Sequence, residues 1–184
     1  PGFPLKGAKL NVERTRLLAW GSQGARSWDP ASGAEVRRSA LRADVLTVDE
    51  SGPSKAWLLL DVQGQVWIEG LADGSLRALA EESSAVQLAR FAPGGHVFLT
   101  AHASGQLCCW DSQSLALRWS MPFRKPDETA GAFEDLAFSP GAETVAVAWS
   151  QREIHFLRVA DGQPARKLLN VFPPKSLDWS GDGR

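Results

Sequence analysis

The sequence predicts an all-β fold in which four-stranded antiparallel sheets repeat along the chain. The first observation is that short apolar segments recur between turns rich in Gly and Pro, a pattern typical of β-strands and hairpins. The second is an internal repeat, because "RFAPGGHVFLTA" and "AFSPGAETVAVA" align and place Phe91 and Phe138 47 residues apart (138 − 91 = 47). Repeats of roughly 40 to 50 residues are typical of four-stranded sheets arranged in series.

Each repeat unit contains an apolar strand that ends in a turn, a second apolar strand, a short Gly turn, a third strand with an aromatic residue, and a fourth strand. The clearest unit begins at Ala85, where "AVQLARFAPGG", "HVFLTA", "LCCWD" and "SLALRW" supply the four strands. The next begins at Phe133, and two earlier units are weaker but in phase. We therefore expect four units and the start of a fifth, at residues 6–39, 43–80, 85–121, 133–170 and 176–184.

The aromatic residues predicted to close the third strands support this phase. They follow one another at steps of 39, 43 and 46 residues: Trp28, Trp67, Trp110 and Phe156. The alternation within each strand leaves apolar residues on both faces, as expected for sheets packed between neighbouring sheets. The main alternative is a helix across residues 76–88, which Ala80, Glu81 and Glu82 favour, although helix propensity is a weak predictor.

Two dipeptides carry a resemblance to a known family. Trp28-Asp29 and Trp110-Asp111 are Trp-Asp pairs, and "FSPGAETVAVAWS" is similar to a turn and second strand common in bacterial members; the chain resembles the WD-repeat family over nearly its whole length. The resemblance implies a β-propeller whose blades are four-stranded sheets, and a role in binding other proteins. Since propellers usually need more blades to close, we expect an incomplete ring from a longer protein.

The sequence departs from the family pattern at the turns between second and third strands. Well-formed members carry an Asp there and a Gly-His pair before the first strand, which join a Ser or Thr and the Trp in a buried hydrogen-bond network. The corresponding turns here, at residues 21–24, 62–65 and 103–106, contain no Asp. We therefore expect this network to be absent and the blades to be held mainly by apolar packing.

Composition excludes several classes of partner. The 20 basic and 21 acidic side chains give a net charge of −1 without long runs of one sign, so no nucleic-acid partner is expected. The longest apolar stretches, such as residues 56–60, are much shorter than the roughly 20 residues of a membrane span, so no membrane partner is expected. The adjacent Cys108 and Cys109 cannot join distant parts of the fold, which mildly favours a reducing compartment such as the cytoplasm but leaves localisation open.

No catalytic, cofactor-binding or metal site is expected. Adjacent cysteines joined in a strained ring occur beside the cofactor of quinoprotein propellers, but Cys108 and Cys109 are better explained as small packing groups in a strand. His96, His102 and His155 are too scattered in the sequence to predict a metal site. The paired carboxylates fall in predicted connections, and no nucleophile elbow or phosphate-binding loop occurs.

The longest connection between units, residues 121–132, is the best candidate for binding a partner. Its sequence "MPFRKPDETAGA" combines an aromatic anchor with charges of both signs, a mixture suited to protein contacts: Phe123, Arg124, Lys125, Asp127 and Glu128. The matching later connection, residues 170–175, adds Phe172 and Lys175. An equally good explanation is that both connections are tolerated surface insertions.

These observations lead to one main hypothesis and two alternatives. The main hypothesis is a non-enzymatic scaffold that presents loops to other proteins, with identity of the partner open and no cofactor required. The first alternative is a sensory or regulatory propeller of a larger enzyme, such as a kinase or peptidase. The second is a quinoprotein-like oxidoreductase, which only a loose similarity in "DSQSLALRW" supports.

Overall fold

Every regular element in the described part of the chain is a β-strand. The helix considered across residues 76–88 is wrong, because Leu76–Ala78 and Val86–Phe91 are strands paired with neighbouring strands, and this pairing overrides the local helix propensity. The strands fall into two compact units, residues 1–83 and 84–184, which we describe separately. The computed structural model describes residues 4–11, 15–80, 84–123, 131–149, 152–169 and 175–183.

The first unit contains two sheets of four antiparallel strands, each joined in chain order. Sheet one is built from β1 (Leu5–Leu10), β2 (Leu17–Gly21), β3 (Gly24–Trp28) and β4 (Glu35–Arg38). Sheet two is built from β5 (Val45–Ser51), β6 (Ala56–Asp61), β7 (Val66–Gly70) and β8 (Leu76–Ala78).

The second unit contains two further sheets with the same antiparallel order. Sheet three is built from β9 (Val86–Phe91), β10 (Val97–His102), β11 (Gln106–Asp111) and β12 (Leu117–Pro122). Sheet four is built from β13 (Phe133–Phe138), β14 (Thr144–Trp149), β15 (Glu153–Arg158) and β16 (Pro164–Leu168).

Burial follows the position of each strand in its sheet. The second strands β6 and β10 are buried at every residue, which explains their continuous apolar sequences "AWLLLD" and "VFLTAH". The fourth strands β4 and β16 are mostly exposed and carry basic residues in "EVRR" and "PARKL". Charged side chains on an edge strand discourage pairing with other chains, so the polar sequence suits an outer edge.

Apolar side chains from both sheets of a unit form its core. In the first unit, buried residues from sheets one and two share one cluster that includes Leu18, Ala25, Val45, Val48, Trp57 and Leu59. In the second unit, sheets three and four share a cluster that includes Leu99, Leu107, Cys109, Leu136, Val147, Trp149 and Leu157. Face-to-face packing of neighbouring sheets therefore accounts for the apolar residues on both faces of the inner strands.

The acidic residue of each Trp-Asp pair closes the turn between a third and a fourth strand. Asp29 Oδ1 accepts hydrogen bonds from the backbone N–H groups two and three residues later, at 3.0 and 2.7 Å. Asp111 Oδ1 accepts the same pair of hydrogen bonds at 3.0 and 2.9 Å. The two carboxylates therefore have the same structural function, which is to satisfy turn N–H groups that the strands leave free.

The strand registers show that the four third-strand aromatic residues do not share one position. Trp28 and Trp110 each pair with the residue four positions before the end of the second strand (21 − 17 and 102 − 98). Trp67 pairs two positions before that end (61 − 59), and Phe156 pairs three positions before it (149 − 146). Trp28 and Trp110 therefore share a register position that Trp67 and Phe156 do not, because pairing, rather than distance along the chain, sets the register.

Candidate partner-binding surface

The connection between β12 and β13 begins at Phe123, whose ring packs against the core of the second unit. Its ring centroid lies 5.1 Å from that of Phe133, 5.7 Å from that of Trp149 and 4.8 Å from that of His155. The Phe123 N–H donates a 2.8 Å hydrogen bond to the carbonyl oxygen of Gly105. The ring contacts place the start of the connection on sheet four, and the hydrogen bond ties it to the turn between β10 and β11 of sheet three. We call the four rings the aromatic cluster.

The described chain resumes at Gly131, directly against the same cluster. A Cβ added to Gly131 would collide with the indole ring of Trp149, so only glycine fits this close approach of the backbone. Both ends of the segment 124–130 are therefore positioned by the aromatic cluster. The candidate residues within that segment lie outside the described residues: Arg124, Lys125, Asp127 and Glu128.

A small charged group lies beside the aromatic cluster on sheet four. Glu153 Oε2 is 2.8 Å from His155 Nε2 and accepts a 2.7 Å hydrogen bond from Lys167 Nζ. Burial alone would raise the pKa of Glu153, but the hydrogen bonds from Lys167 and His155 outweigh it and lower that pKa. The carboxylate therefore stays ionised at neutral pH and orients the imidazole that packs on Phe123.

Lys175 also stands on sheet four, through a different contact. Its Nζ lies 3.0 Å from Glu134 Oε2 on β13, while 78% of the lysine side chain remains exposed. The other residue predicted in this later connection, Phe172, lies outside the described residues. Phe123 and Lys175 are thus both held by sheet four.

Trp110 belongs to a buried hydrogen-bond network. Its indole Nε1 donates to Thr100 Oγ1 at 2.8 Å, and that oxygen lies 2.8 Å from His102 Nε2. Because the indole only donates, the Thr100 hydroxyl is free to donate to His102 Nε2, which leaves the Nδ1–H to donate to the Ser84 carbonyl oxygen at 3.1 Å. Sheet three therefore contains a buried polar network beside its apolar core, although its turn at residues 103–106 lacks the Asp of the family pattern.

The network differs from the family pattern in the position of its His. The pattern has an Asp in the turn and a His before the first strand, whereas His102 is the last residue of the second strand, β10. At the same place in sheet two, the last residue of β6 is Asp61, which accepts a 3.0 Å hydrogen bond from the Trp67 indole. A polar residue at the end of an otherwise apolar second strand was the signal that could have predicted both networks.

Glu69 is a buried carboxylate to which no sequence motif assigned a function. It is 0% exposed, and it accepts hydrogen bonds from the Ser39 hydroxyl, from the Ala40 N–H at 3.1 Å and from the Arg37 guanidinium at 3.3 Å. Its three partners follow or belong to β4 of sheet one, while Glu69 lies on β7 of sheet two. The carboxylate therefore ties the two sheets of the first unit together. The single acidic residue in the otherwise uncharged strand "VWIEG" is the sequence feature that could have indicated this buried carboxylate.

The adjacent cysteines are both thiols and are buried in β11. Burial raises the pKa of the Cys109 thiol to about 11, with the Arg118 charge lowering it and the Asp111 charge raising it by smaller amounts. A thiol with so high a pKa stays protonated near neutral pH and is a poor nucleophile.

The described residues also bear on metal sites and membrane spans. In that part of the chain, no group of three or more His, Cys, Asp and Glu side chains is arranged to hold a metal ion. Within the same residues, no helix is long and apolar enough to cross a membrane.

Comparison with known proteins identifies the fold. A solved chain described as the β-propeller domain of Cps50 (Swd1) from Myceliophteria thermophila is similar over 100% of this chain, with a TM-score of 0.82 and 13% sequence identity. The chain has a β-propeller fold. Its four sheets are therefore propeller blades, and the chain spans 61% of the length of that solved chain.

The comparisons define the architecture more closely than the role. No protein-family model matches the sequence, and no curated protein matches it. Because 1518 solved chains match the structure, the propeller fold by itself does not specify a function.

Proposed function

We propose that the protein is a non-enzymatic scaffold of the WD-repeat type that binds another protein through the connection between the third and fourth blades. The observation that carries the proposal concerns the two residues that flank the segment 124–130. Phe123 is part of the aromatic cluster, and Gly131 packs against Trp149 of the same cluster. Loops positioned by a rigid base are common binding elements.

The fixed ends favour binding for an energetic reason. Ordering a loop on association opposes binding by about 0.5 to 1.5 kcal/mol for each immobilised flexible side chain, so a loop whose ends are already fixed loses less freedom. The segment supplies charges of both signs, at Arg124, Lys125, Asp127 and Glu128. Such charges steer association and select a complementary partner, while the cluster beneath them supplies rigidity.

Features of the blades support the comparison with WD repeats. Asp29 and Asp111 of the Trp-Asp pairs cap equivalent turns, and Trp110, Thr100 and His102 form a Trp, Thr and His network. The similarity to the propeller domain of Cps50 (Swd1) agrees with this relationship at the level of fold. The identity of the partner is a separate question, which the following experiment addresses.

The test reverses charge within the connection and leaves the aromatic cluster intact. Partners cross-linked to the wild-type chain in a lysate of its source cells are identified by mass spectrometry, and the purified partner is then titrated by calorimetry. We expect the double substitution Arg124→Glu and Lys125→Glu to weaken binding by more than about tenfold, as for residues at the centre of an interface. Phe123 is left unchanged because its loss would disturb the packing of sheet four.

A matched control separates local from general electrostatic effects. Lys55→Glu combined with Arg158→Glu makes the same change in net charge at two exposed residues elsewhere in the chain. This control is expected to bind within about twofold of the wild type, because scattered surface charges contribute little to affinity. Equal weakening by both double variants, or by neither, would contradict binding through the connection.

A further inference from the structure

The connection between β4 and β5, residues 39–44, is held in place by contacts within the first unit. The Ser39 hydroxyl and the Ala40 N–H both donate hydrogen bonds to the buried carboxylate of Glu69. The Leu41 N–H donates a 3.0 Å hydrogen bond to the Ser39 hydroxyl oxygen, and the Leu41 side chain lies in the core that sheets one and two share. The backbone of this connection is therefore fixed in the chain on its own, without a partner.

Arg42 is the exposed cation of this connection. Its Nη1 donates a 3.1 Å hydrogen bond to the Ser39 carbonyl oxygen, which orients the guanidinium. Among the residues that the structure describes, no carboxylate is paired with Arg42. Asp44, two positions later, has its own cation, since its Oδ2 lies 2.7 Å from Lys6 Nζ. Arg42 therefore gives this surface a positive charge that no neighbouring carboxylate neutralises.

Leu46 follows the connection at a β-bulge. Val45 pairs with Asp61 and Thr47 pairs with Leu60, so Leu46 is an extra residue on β5. A bulge of this kind changes the direction of a side chain, and bulges are common next to binding sites. Leu46 is 44% exposed, whereas its neighbour Val45 is 0% exposed. The bulge therefore leaves a large apolar side chain at the surface.

Val62 adds a second exposed apolar side chain next to the connection. It is 39% exposed, and its N–H donates a 2.9 Å hydrogen bond to the Asp44 carbonyl oxygen. Asp44 lies midway between Arg42 and Leu46 in the chain, so this hydrogen bond brings Val62 close to both. Arg42, Leu46 and Val62 thus occupy one region of the surface, which we call the first-unit patch.

The composition of the first-unit patch indicates the chemistry of its partner. A guanidinium carries several N–H donors, and the bond to Ser39 leaves others available for a carboxylate, which it binds in a two-pronged geometry. Arginine is also enriched at the centres of protein interfaces, where apolar side chains around it exclude water. Because the connection is already fixed, binding orders few groups of this protein.

We propose that the first-unit patch is a second protein-binding surface, and that it takes a segment of another protein that presents a carboxylate beside apolar side chains. The carboxylate of the segment pairs with Arg42, and its apolar side chains cover Leu46 and Val62. This patch belongs to the first unit, whereas the connection at residues 124–130 belongs to the second, so each proposal is tested by its own variants.

The experiment uses the full chain and a displayed library of random peptides. Peptides that bind Arg42→Glu are removed first, and the remaining peptides are selected on the wild type. We expect the selected peptides to carry Asp or Glu beside apolar residues. Synthetic, fluorescein-labelled copies are then titrated by fluorescence anisotropy, and binding to Arg42→Glu is expected to be more than about tenfold weaker than binding to the wild type.

Lys55→Glu is the matched control for charge. It makes the same charge reversal at an exposed residue in the turn at the other end of β5, and it should bind the peptides within about twofold of the wild type. A peptide whose acidic residue is replaced by Lys is expected to bind Arg42→Glu more tightly than it binds the wild type. If circular dichroism shows that Arg42→Glu disturbs folding, Val62→Asp takes its place in the subtraction and the titrations.

Substitutions of the apolar side chains test the remainder of the patch. Leu46→Ser and Val62→Ser are each expected to weaken the selected peptides by about threefold or more, because apolar area buried in the complex is lost. Val36→Ser, at a residue of β4 that is 49% exposed, is the matched control and should leave the peptide affinity unchanged.

Several results would overturn the proposal. One is that no peptide remains after the subtraction, and another is that the selected peptides lack acidic residues. Equal weakening by Arg42→Glu and Lys55→Glu would mean that binding responds only to net charge. Displacement of the peptides by a single-stranded oligonucleotide of random sequence would show that the patch binds nucleic acid instead of a protein segment.

Discussion

Glu69 in the second blade and Trp110 in the third occupy the same place in the strand register, yet they are satisfied in opposite ways. Each lies on the third strand of its blade. Its pairing partner lies four positions before the end of the second strand of the same blade. Trp110 supplies a donor, and its partners Thr100 and His102 belong to its own blade. Glu69 supplies acceptors, and its partners follow β4 of the neighbouring blade. One position therefore stabilises a blade from within in one case and joins two blades in the other.

The comparison shows what a repeat position requires. The equivalent residues are Leu157 in the fourth blade, which is 0% exposed, and Trp28 in the first blade, which is half-buried, so the position is filled by residues of different polarity and does not require a particular polar group. A polar residue is accepted there when all of its hydrogen-bonding groups find partners, because an unsatisfied buried group costs roughly 1 to 3 kcal/mol. The chemical identity of the residue is therefore free to diverge while the blade geometry is retained.

The largest effect is expected from breaking the contact between blades. Glu69→Ala leaves the Ser39 hydroxyl, the Ala40 N–H and the Arg37 guanidinium without their shared acceptor, and we expect it to lower the free energy of unfolding by about 3 kcal/mol. Urea unfolding followed by Trp fluorescence measures this loss. Glu35→Ala, which removes a carboxylate with 33% side-chain exposure from β4, is the control and should cost less than about 1 kcal/mol. Similar losses for the two variants would show that the buried contact does not join the blades.

The next prediction uses Cys109 to report on the closed state of the third blade. Since burial raises its thiol pKa to about 11, reaction with a thiol reagent at pH 8 should be more than about a hundredfold slower in the native protein than in urea. The experiment uses Cys108→Ala, so that one thiol reports. Rapid stoichiometric labelling of this folded variant would mean that the region around Trp110 opens readily.

A third prediction concerns the network within the third blade. Thr100→Val keeps the side-chain shape but leaves the Trp110 indole N–H and His102 Nε2 without a partner, and we expect a loss of about 2 kcal/mol in the free energy of unfolding. Thr144→Val, at a half-buried position of β14, is the control and should have a smaller effect. A double-mutant cycle of Thr100→Val with Trp110→Phe isolates their interaction, and additive losses would show that the two side chains are not coupled.

The sequence was sufficient for the architecture because packing patterns repeat. Strands, turns and the four-stranded sheets follow from apolar segments such as those ending in Phe91 and Phe138, which are set by burial and turn chemistry. The polar networks could not be predicted in this way. The partners of Glu69 are 29 to 32 residues away in the chain, and only the packing of two blades brings them together.

The candidate surface was predictable in composition but not in geometry. The sequence identified Phe123 as an aromatic residue in a charged connection, and the structure adds that its ring packs on Phe133, Trp149 and His155. Those residues come from three different strands, so no local pattern places them beside Phe123. The contact between the rings of Trp179 and Phe156 shows the same limit, since the separation of these residues in the chain does not indicate that their rings meet.

The smallest expected effect comes from the turn that follows Trp110. Hydrogen bonds from the Ser114 backbone, the Arg118 guanidinium and the Ser114 hydroxyl hold the pKa of Asp111 well below its usual range. A lowered folded-state pKa contributes stability that is fully present above the unfolded pKa of about 3.9 and is lost as the pH falls below it. We therefore expect Asp111→Asn to be less stable than the wild type by less than about 1 kcal/mol at pH 7, and the difference to narrow between about pH 4 and pH 2.

Asp29→Asn tests whether the equivalent turn of the first blade behaves in the same way. The pKa of Asp29 is also lowered, chiefly by the hydrogen bond from the Ser32 backbone. Urea unfolding of both variants and the wild type across this pH range gives the comparison, and both differences should narrow in the same direction. A difference that stays constant with pH for Asp111→Asn would show that the substitution acts through turn geometry and not through the ionised carboxylate. The Trp-Asp pair would then owe its stabilising effect to the hydrogen-bonding geometry of the Asp side chain, which Asn does not reproduce, rather than to its charge.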